Sequence, residues 1–241
     1  MILVTGANGR VGSATVKQLT ARGIPVRALV RSPERAAGIT APGVDIVVGD
    51  LAQPQTLDTA LQGVSSALLV SPLDPRQVEL QGNFIEAARR ASGVHIVKIS
   101  GLGTALDSPV RSGRWHAEIE KHIEDSGLPF THLRPPFFMQ NVLRFAPTIR
   151  ASGEFVGSLQ QGKVAMIDVR DIAAVAGIVL TTPGHAGKAY ALTGPEALSY
   201  RDIAERLSNT LQKTVRYRDI PLEALRARLQ ASGMPAWHVE V

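Results

Sequence analysis

The chain has 241 residues, which fits one α/β domain or one domain with a small appended lobe, and its ordinary apolar content argues against disorder or a fibre. The absence of cysteine removes disulfides, thiol nucleophiles and cysteine-held metals, and no histidine spacing suggests a metal site. The net charge of +5 comes from scattered Lys and Arg with acids between them, so no nucleic-acid partner is expected and a phosphate-bearing small molecule suffices.

A first strand is expected at Ile2 to Thr5, with no charged leader before it, and a helix from Val11 to Arg22. Strands follow at Val26 to Val30 and Asp45 to Val48, then a short helix near Pro54 to Leu61 and a strand at Ala67 to Val70. Asp74 and Pro75 read as the N-cap and first turn of a long helix, which leads to a strand at Val94 to Ile99. These strands are continuously apolar rather than alternating, as in a parallel sheet covered on both faces. A helix is expected at Trp115 to Asp125 and a strand at Phe130 to Arg134, followed by an irregular, site-forming stretch from Arg134 to Gly153. Val164 to Ile167 reads as a strand, Asp168 as the cap of a helix through Leu180, and Ala189 to Thr193 as another strand. Ser199 and Asp202 are spaced as a capping box, Val215 to Arg218 reads as a strand, and Pro221 starts a final helix.

The order predicts an α/β fold: a doubly wound parallel Rossmann sheet with a small C-terminal substrate lobe. Residues 1–150 are expected to hold the cofactor, with 151–241 supplying the remaining sheet elements and an interleaved lobe. The longest apolar stretch, Ile172 to Leu180, is too short to span a bilayer, so a cytoplasmic protein without a membrane partner is expected, as a monomer or homodimer.

The most explicit chemistry lies in Gly6, Asn8, Gly9, Arg10, Val11 and Gly12, directly between the first strand and first helix. Glycines at this spacing allow a tight turn, close approach of backbone to a pyrophosphate, and close helix packing, while the helix N-terminus faces the phosphates. An acid at the end of the second strand would accept from the ribose 2′-OH of NAD. Arg31 stands there instead, and its planar donors suit the extra phosphate of NADP. NADP(H) is therefore the expected cofactor, with NAD(H) as the alternative. Asp50 and Leu51, after the third strand, either meet the adenine or cap the next turn. Val70, Ser71 and Pro72 should pass under the cofactor, and Ser100 and Gly101 should face the nicotinamide.

The chain resembles the NmrA-like family of atypical short-chain dehydrogenase/reductases. The resemblance spans nearly all of it and rests on Thr5 to Gly12, Leu128 to Pro135, Ile167 to Ala173 and Leu192 to Glu196. It implies a cofactor domain with a small substrate lobe, and a group that includes quinone reductases, dye reductases, isoflavone-reductase-like enzymes and redox-sensing regulators. It also implies a chain continuing past Trp237, so the segment ending at Val241 is expected either to be a short final helix or to stop before the natural end.

Ordinary short-chain dehydrogenases use a Tyr-x-x-x-Lys pair. Here the residues four after Tyr190, Tyr200 and Tyr217 are Gly194, Ala204 and Pro221, so that chemistry is not expected. His116 falls where isoflavone-reductase-like relatives carry a catalytic Lys, and Glu120, one turn on, is expected to orient it. Phe137, Phe138 and Met139 follow paired prolines that end the sixth strand, and with Trp115 they are expected to hold a flat, uncharged aromatic or conjugated substrate. The leading expectation is an NADPH-dependent reductase of quinones, enones or related acceptors. The alternative is an NADP(H)-binding redox sensor without turnover.

Overall fold

The computed structural model describes residues 1–239. They form two compact units, one comprising Met1–Pro135 and Val169–Leu192, the other Pro136–Asp168 and the residues from Thr193 onward. The chain thus passes from unit to unit at 135, 168 and 192.

The first unit is built on seven strands: β1 (Ile2–Val4), β2 (Val26–Val30), β3 (Val44–Val48), β4 (Ser66–Leu69), β5 (His95–Ile99), β6 (Phe130–Arg134) and β8 (Lys188–Ala191). All pair in parallel in the order β3-β2-β1-β4-β5-β6-β8. The order reverses between β1 and β4, the topological switch point of a doubly wound sheet. Helices α1 (Arg10–Thr20), α2 (Leu57–Ala60), α3 (Gln77–Ala91), α4 (Arg111–Asp125) and α6 (Val169–Thr181) cover it.

Strand alternation sorts the core by face. Leu3, Ala67, Leu69 and Ile96 point toward α2, α3 and α4, where they pack with Leu57, Phe84, Ile85, Ile119 and Ile123. The opposite face carries α1 and α6, which pack on each other at Leu19 and Gly177. Lys98 of β5 and Ser100, just past its end, share the parity of Ile96, so the face under α4 includes both.

The second unit holds α5 (Ala146–Ser152), β7 (Glu154–Gly157), α7 (Tyr200–Leu211), β9 (Arg216–Asp219), α8 (Leu222–Ala231) and α9 (Ala236–Val239). β7 and β9 pair in parallel. Phe155 is fully buried and stacks on Phe145 at 4.5 Å, with the rings of Tyr200 and Tyr217 at 5.8 and 5.4 Å. The capping box is present: Ser199 accepts from the Asp202 N–H, and Asp202 accepts from the Ser199 N–H.

Some local expectations are corrected. Asp74 does not cap a long helix: α3 starts at Gln77, and the Asp74 carboxylate accepts from the Arg76 N–H in the turn before it. Val164 to Ile167 is not a strand. It makes only two isolated bridges, Val164 with Leu198 and Ile167 with Phe138. The second-unit strand is instead β7, whose partner β9 lies some sixty residues away and gives no local signal. The helix expected at Trp115 begins earlier, at Arg111.

Gly194 shows how tightly the second unit closes. A Cβ there would lie 2.0 Å from the Met166 carbonyl oxygen. Gly194→Ala should therefore lower stability by about 2–3 kcal/mol, because backbone must move. Gly38→Ala, where nothing lies within 4 Å, should be close to neutral. Urea unfolding midpoints measure both, and equal midpoints would show that the Met166 carbonyl yields freely.

Candidate active site

The carboxyl ends of the parallel strands share one edge, and the predicted cofactor residues sit along it. At the switch point Thr5 is fully buried. Its hydroxyl accepts from the Val70 N–H at 2.8 Å, with the Val70 and Leu68 carbonyls at 2.8 and 3.1 Å as acceptors. This joins the ends of β1 and β4. Sequence reasoning quoted Thr5 within the motif but gave it no role.

Gly6 has φ +54, and a Cβ on it would lie 2.8 Å from the Val70 carbonyl oxygen. The Gly9 N–H donates to the Gly6 carbonyl at 2.8 Å and closes the turn. A Cβ on Gly12 would come within 2.2 Å of that same oxygen, so only glycine lets α1 start here. Gly9 is the N-cap of α1; no side chain caps it and no acid lies in the first turn. The first-turn N–H groups and their partial positive charge are left to an anion. Val11 is buried against the sheet, while Asn8, Gly9 and Arg10 are exposed.

Arg31 follows β2, is exposed, and makes no hydrogen bond or ion pair among the described residues. Asp50 accepts from the Ala52 N–H at 3.0 Å, which is the turn-capping role. The Leu51 carbonyl accepts from the Asn83 side chain at 2.9 Å. After β4, Ser71 accepts from the Gln81 amide at 2.9 Å, ahead of exposed Pro72. A cradle that any Cβ would fill, an uncapped helix start and a free guanidinium at the second strand together fit a phosphorylated dinucleotide.

Between the sheet and α4 lies a layer that is polar where a core is expected. Lys98 of β5 is fully buried. Its ammonium donates to His116 Nδ1 at 2.9 Å and to the Ile99 carbonyl at 3.2 Å. Burial pushes the Lys98 ammonium down to about 7, against the pull of Glu120. Burial, and then the charge of Lys98, hold the His116 imidazole well below its ordinary range. The Gln77 amide also approaches His116 Nδ1, at 3.5 Å. The edge of the His116 ring lies against Gly101, where a Cβ would meet Cδ2 at 3.3 Å.

Glu120 does not orient His116, contrary to the sequence expectation. Its carboxylate is gripped by the Arg134 guanidinium at 2.6 and 3.0 Å. Burial opposes the charge of Glu120, but these bonds outweigh it and keep the carboxyl below its ordinary value. Next to Lys98 in the register, His132 of β6 contacts Glu124 at 3.1 Å, and burial holds it below its ordinary value. Ser100 Oγ lies close enough to Glu120 to favour its charge, yet meets no partner at hydrogen-bonding geometry. Gln77 Oε1 and Gln81 Oε1 are likewise buried without a partner. Such orphans mark a place built to be completed by something else.

Trp115 is half-buried on α4 in the first unit. In the second unit, Phe137 packs against the Phe155 cluster. Phe138 is half-buried and its backbone is fixed by the bridge to Ile167; Met139 is exposed. Of the three tyrosines, Tyr200 and Tyr217 pack in the second-unit cluster and Tyr190 is hydrogen-bonded to His185 at 2.8 Å in the first unit.

The NmrA-like family model matches residues 1–240, so the chain belongs to the NmrA-like family. It is 45% identical over 235 residues to an NAD(P)H azoreductase of Xenophilus azovorans, covering 98% of this chain and 82% of that one. It is 40% identical to a (4-alkanoyl-5-oxo-2,5-dihydrofuran-3-yl)methyl phosphate reductase of Streptomyces griseus, covering 98% and 82%. A crystal structure of an NADPH-dependent quinone oxidoreductase from Escherichia coli, complexed with NADPH, superposes with a TM-score of 0.90 at 33% identity, covering 100% of this chain and 86% of that one.

The Glu120–Arg134 pair gives a stability test. The Glu120 side chain is 5% exposed and that of Arg134 34%. Glu120→Gln should cost about 2 kcal/mol at pH 7, below the usual toll for breaking a buried pair because Arg134 is partly solvated. A carboxyl lowered in the folded state stabilises it above its unfolded value, and that contribution is lost as pH falls through the folded value. The parent should therefore lose its advantage over Glu120→Gln below about pH 4.5. A difference in melting temperature that stays constant from pH 7 to pH 3 would contradict the assignment.

Proposed function

We propose that this chain is an NADPH-dependent oxidoreductase that transfers hydride to a conjugated, uncharged acceptor such as a quinone or an enone. The observation that carries it is the glycine cradle at the switch point, with the uncapped α1 behind it and unpaired Arg31 where an acid would select NAD. The NAD(P)H azoreductase, (4-alkanoyl-5-oxo-2,5-dihydrofuran-3-yl)methyl phosphate reductase and NADPH-dependent quinone oxidoreductase relatives support reduction of conjugated acceptors, the second of them a phosphate ester.

In this reading Gly6, Asn8, Gly9, Arg10, Val11 and Gly12 hold the pyrophosphate and Arg31 holds the 2′-phosphate. Asp50 and Leu51 flank the adenine, and Val70, Ser71, Pro72, Ser100 and Gly101 pass beside the nicotinamide half. Bound there, the dihydronicotinamide supplies the hydride. His116 offers an N–H to the acceptor oxygen, and Trp115, Phe137, Phe138 and Met139 are assigned to contact the acceptor. A half-buried, neutral imidazole suits an acceptor that carries no charge before reduction. No described helix is long and apolar enough to cross a membrane, and we place the enzyme in the cytoplasm, beside its dinucleotide supply.

Two substitutions test this. Arg31→Asp should weaken NADPH binding by about tenfold to a hundredfold, by removing a charge-assisted bond and adding repulsion, while NADH is unaffected or improved. Tighter binding of NADH than NADPH by the parent protein sinks the role of Arg31. His116→Ala should lower kcat on an enone by about a hundredfold but change quinone reduction little, since solvent can protonate the hydroquinone monoanion. Tight NADPH binding with no turnover on any quinone, dye or enone would instead mark a sensor.

A further inference from the structure

Lys98 stands in a central strand of a sheet covered on both faces, where a charge has no route to water. A lysine there is costly to keep, and an apolar residue would fill the space at no electrostatic cost. Among the described residues no carboxylate pairs with it. Its partners are one carbonyl and one ring nitrogen, His116 Nδ1 at 2.9 Å.

That contact has a definite chemical meaning. An ammonium can only donate, so His116 Nδ1 must accept. The Gln77 amide, at 3.5 Å from the same nitrogen, also presents its donor end. An imidazole accepting at Nδ1 carries its proton on Nε2. Nε2 lies on the ring edge that rests against Gly101, at the carboxyl end of β5. The strand lysine thus selects one tautomer and leaves its N–H on the ring edge beside Gly101, after the carboxyl end of β5.

We propose that Lys98 is a positioning residue that fixes His116 as the neutral Nε2–H tautomer and replaces the proton His116 gives away. This rests on the reading of His116 as the donor to the acceptor. When the acceptor has taken hydride from the dihydronicotinamide, its oxygen becomes an enolate. The N–H bond at His116 Nε2 breaks and an O–H bond forms on the enolate. At the same time one N–H bond of the Lys98 ammonium breaks and one forms at His116 Nδ1. The ring stays neutral, Lys98 becomes a neutral amine, and no imidazolate is formed. A water-borne proton returning to Nε2 then sends the Nδ1 proton back to Lys98. The acceptor gains one hydride and one proton, and the protein is restored.

The charged and titratable groups facing Lys98 are His116 and Glu120 on α4 and His132 on β6. Glu120 is held charged by Arg134, and burial lowers His132 from its ordinary value beside Glu124. Burial brings Lys98 down to about 7.

Three measurements test the proposal. Long-range proton–nitrogen NMR of the cofactor-free protein should show the His116 ring as the Nε2–H tautomer, and Lys98→Met should give a mixture of tautomers. With NADPH and an enone, parental kcat should fall as pH rises through about 7, as Lys98 loses its proton. Lys98→Met should remove that limb and lower kcat about tenfold or more at pH 6, with KM little changed. An Nδ1–H tautomer in the parent overturns the proposal without any variant being needed. So does a Lys98→Met protein whose tautomer and pH profile match the parent. If the tautomer is as proposed but the parent turns over no acceptor, or His116→Ala is as active as the parent, the functional reading of His116 fails instead.

Discussion

Parallel pairing of all seven strands sends every carboxyl end to one edge, and the chemistry of the first unit depends on that constraint. Gly6, Arg31, Asp50, Ser71 and Ser100 are far apart in sequence, yet each follows a strand that ends on that edge. The order reverses between β1 and β4, so the connections diverge there and leave a crevice. Thr5 bridges the two strand ends from below with a hydroxyl that both accepts and donates. Without such a tie the Gly6 turn would have no fixed distance to Val70. The close approach of Gly12 to the Gly6 carbonyl then sets where α1 begins, and with it the direction of the helix N-terminus.

The same sheet pays for its site on the α4 side. Apolar residues fill the lower part of that face, where Ala67, Phe84, Ile96 and Ile119 are wholly or almost wholly buried. Toward the carboxyl edge the pattern changes to Lys98, Ser100, His132 and Arg134, opposed by His116, Glu120 and Glu124. Such a layer is a poor source of stability, because desolvation offsets most of what the pairs contribute. Its arrangement separates two tasks. Glu120 and Arg134 neutralise each other through a bidentate grip, while Lys98 and His116 share a contact that disfavours charge on the imidazole. Local rules of folding are broken where chemistry is needed and obeyed elsewhere.

The glycine turn, the strand order and the Ser199 cap could be read from the sequence, because each is a local pattern with a local physical cause. The place of Arg31 after the second strand could be read for the same reason, while its contact with a phosphate belongs to the proposed function. Lys98 escapes a reading of Val94 to Ile99 as a uniformly apolar run. The signal was present, since a charged residue inside a strand covered on both faces has to be buried. The pairing of Glu120 with Arg134 rather than His116 could not be read, because α4 spacing places both His116 and Glu120 toward the sheet and only the β6 register decides which strand residue reaches which. β7 was missed because four residues paired to a distant strand carry no periodicity of their own.

The protonation state of His116 bears on which acceptors the site favours. An imidazolium would attract anions in the ground state and bind a carboxylate or phosphate as readily as a reacting carbonyl. A neutral N–H interacts weakly with a ground-state carbonyl and more strongly with the oxyanion that forms as hydride arrives. Only the second interaction accelerates reaction, because it is realised at the transition state. Burial strengthens the difference, since a fixed donor in a low-dielectric layer need not reorganise when charge appears. The Lys98 contact keeps the ring neutral by two routes, occupying Nδ1 and placing positive charge beside it. With Arg134 neutralised by Glu120, the cation left beside the ring is Lys98, which is fully buried and turned toward Nδ1. In the proposed reading, the gain at the transition state then comes from a neutral donor set in the charge balance of α4, β5 and β6.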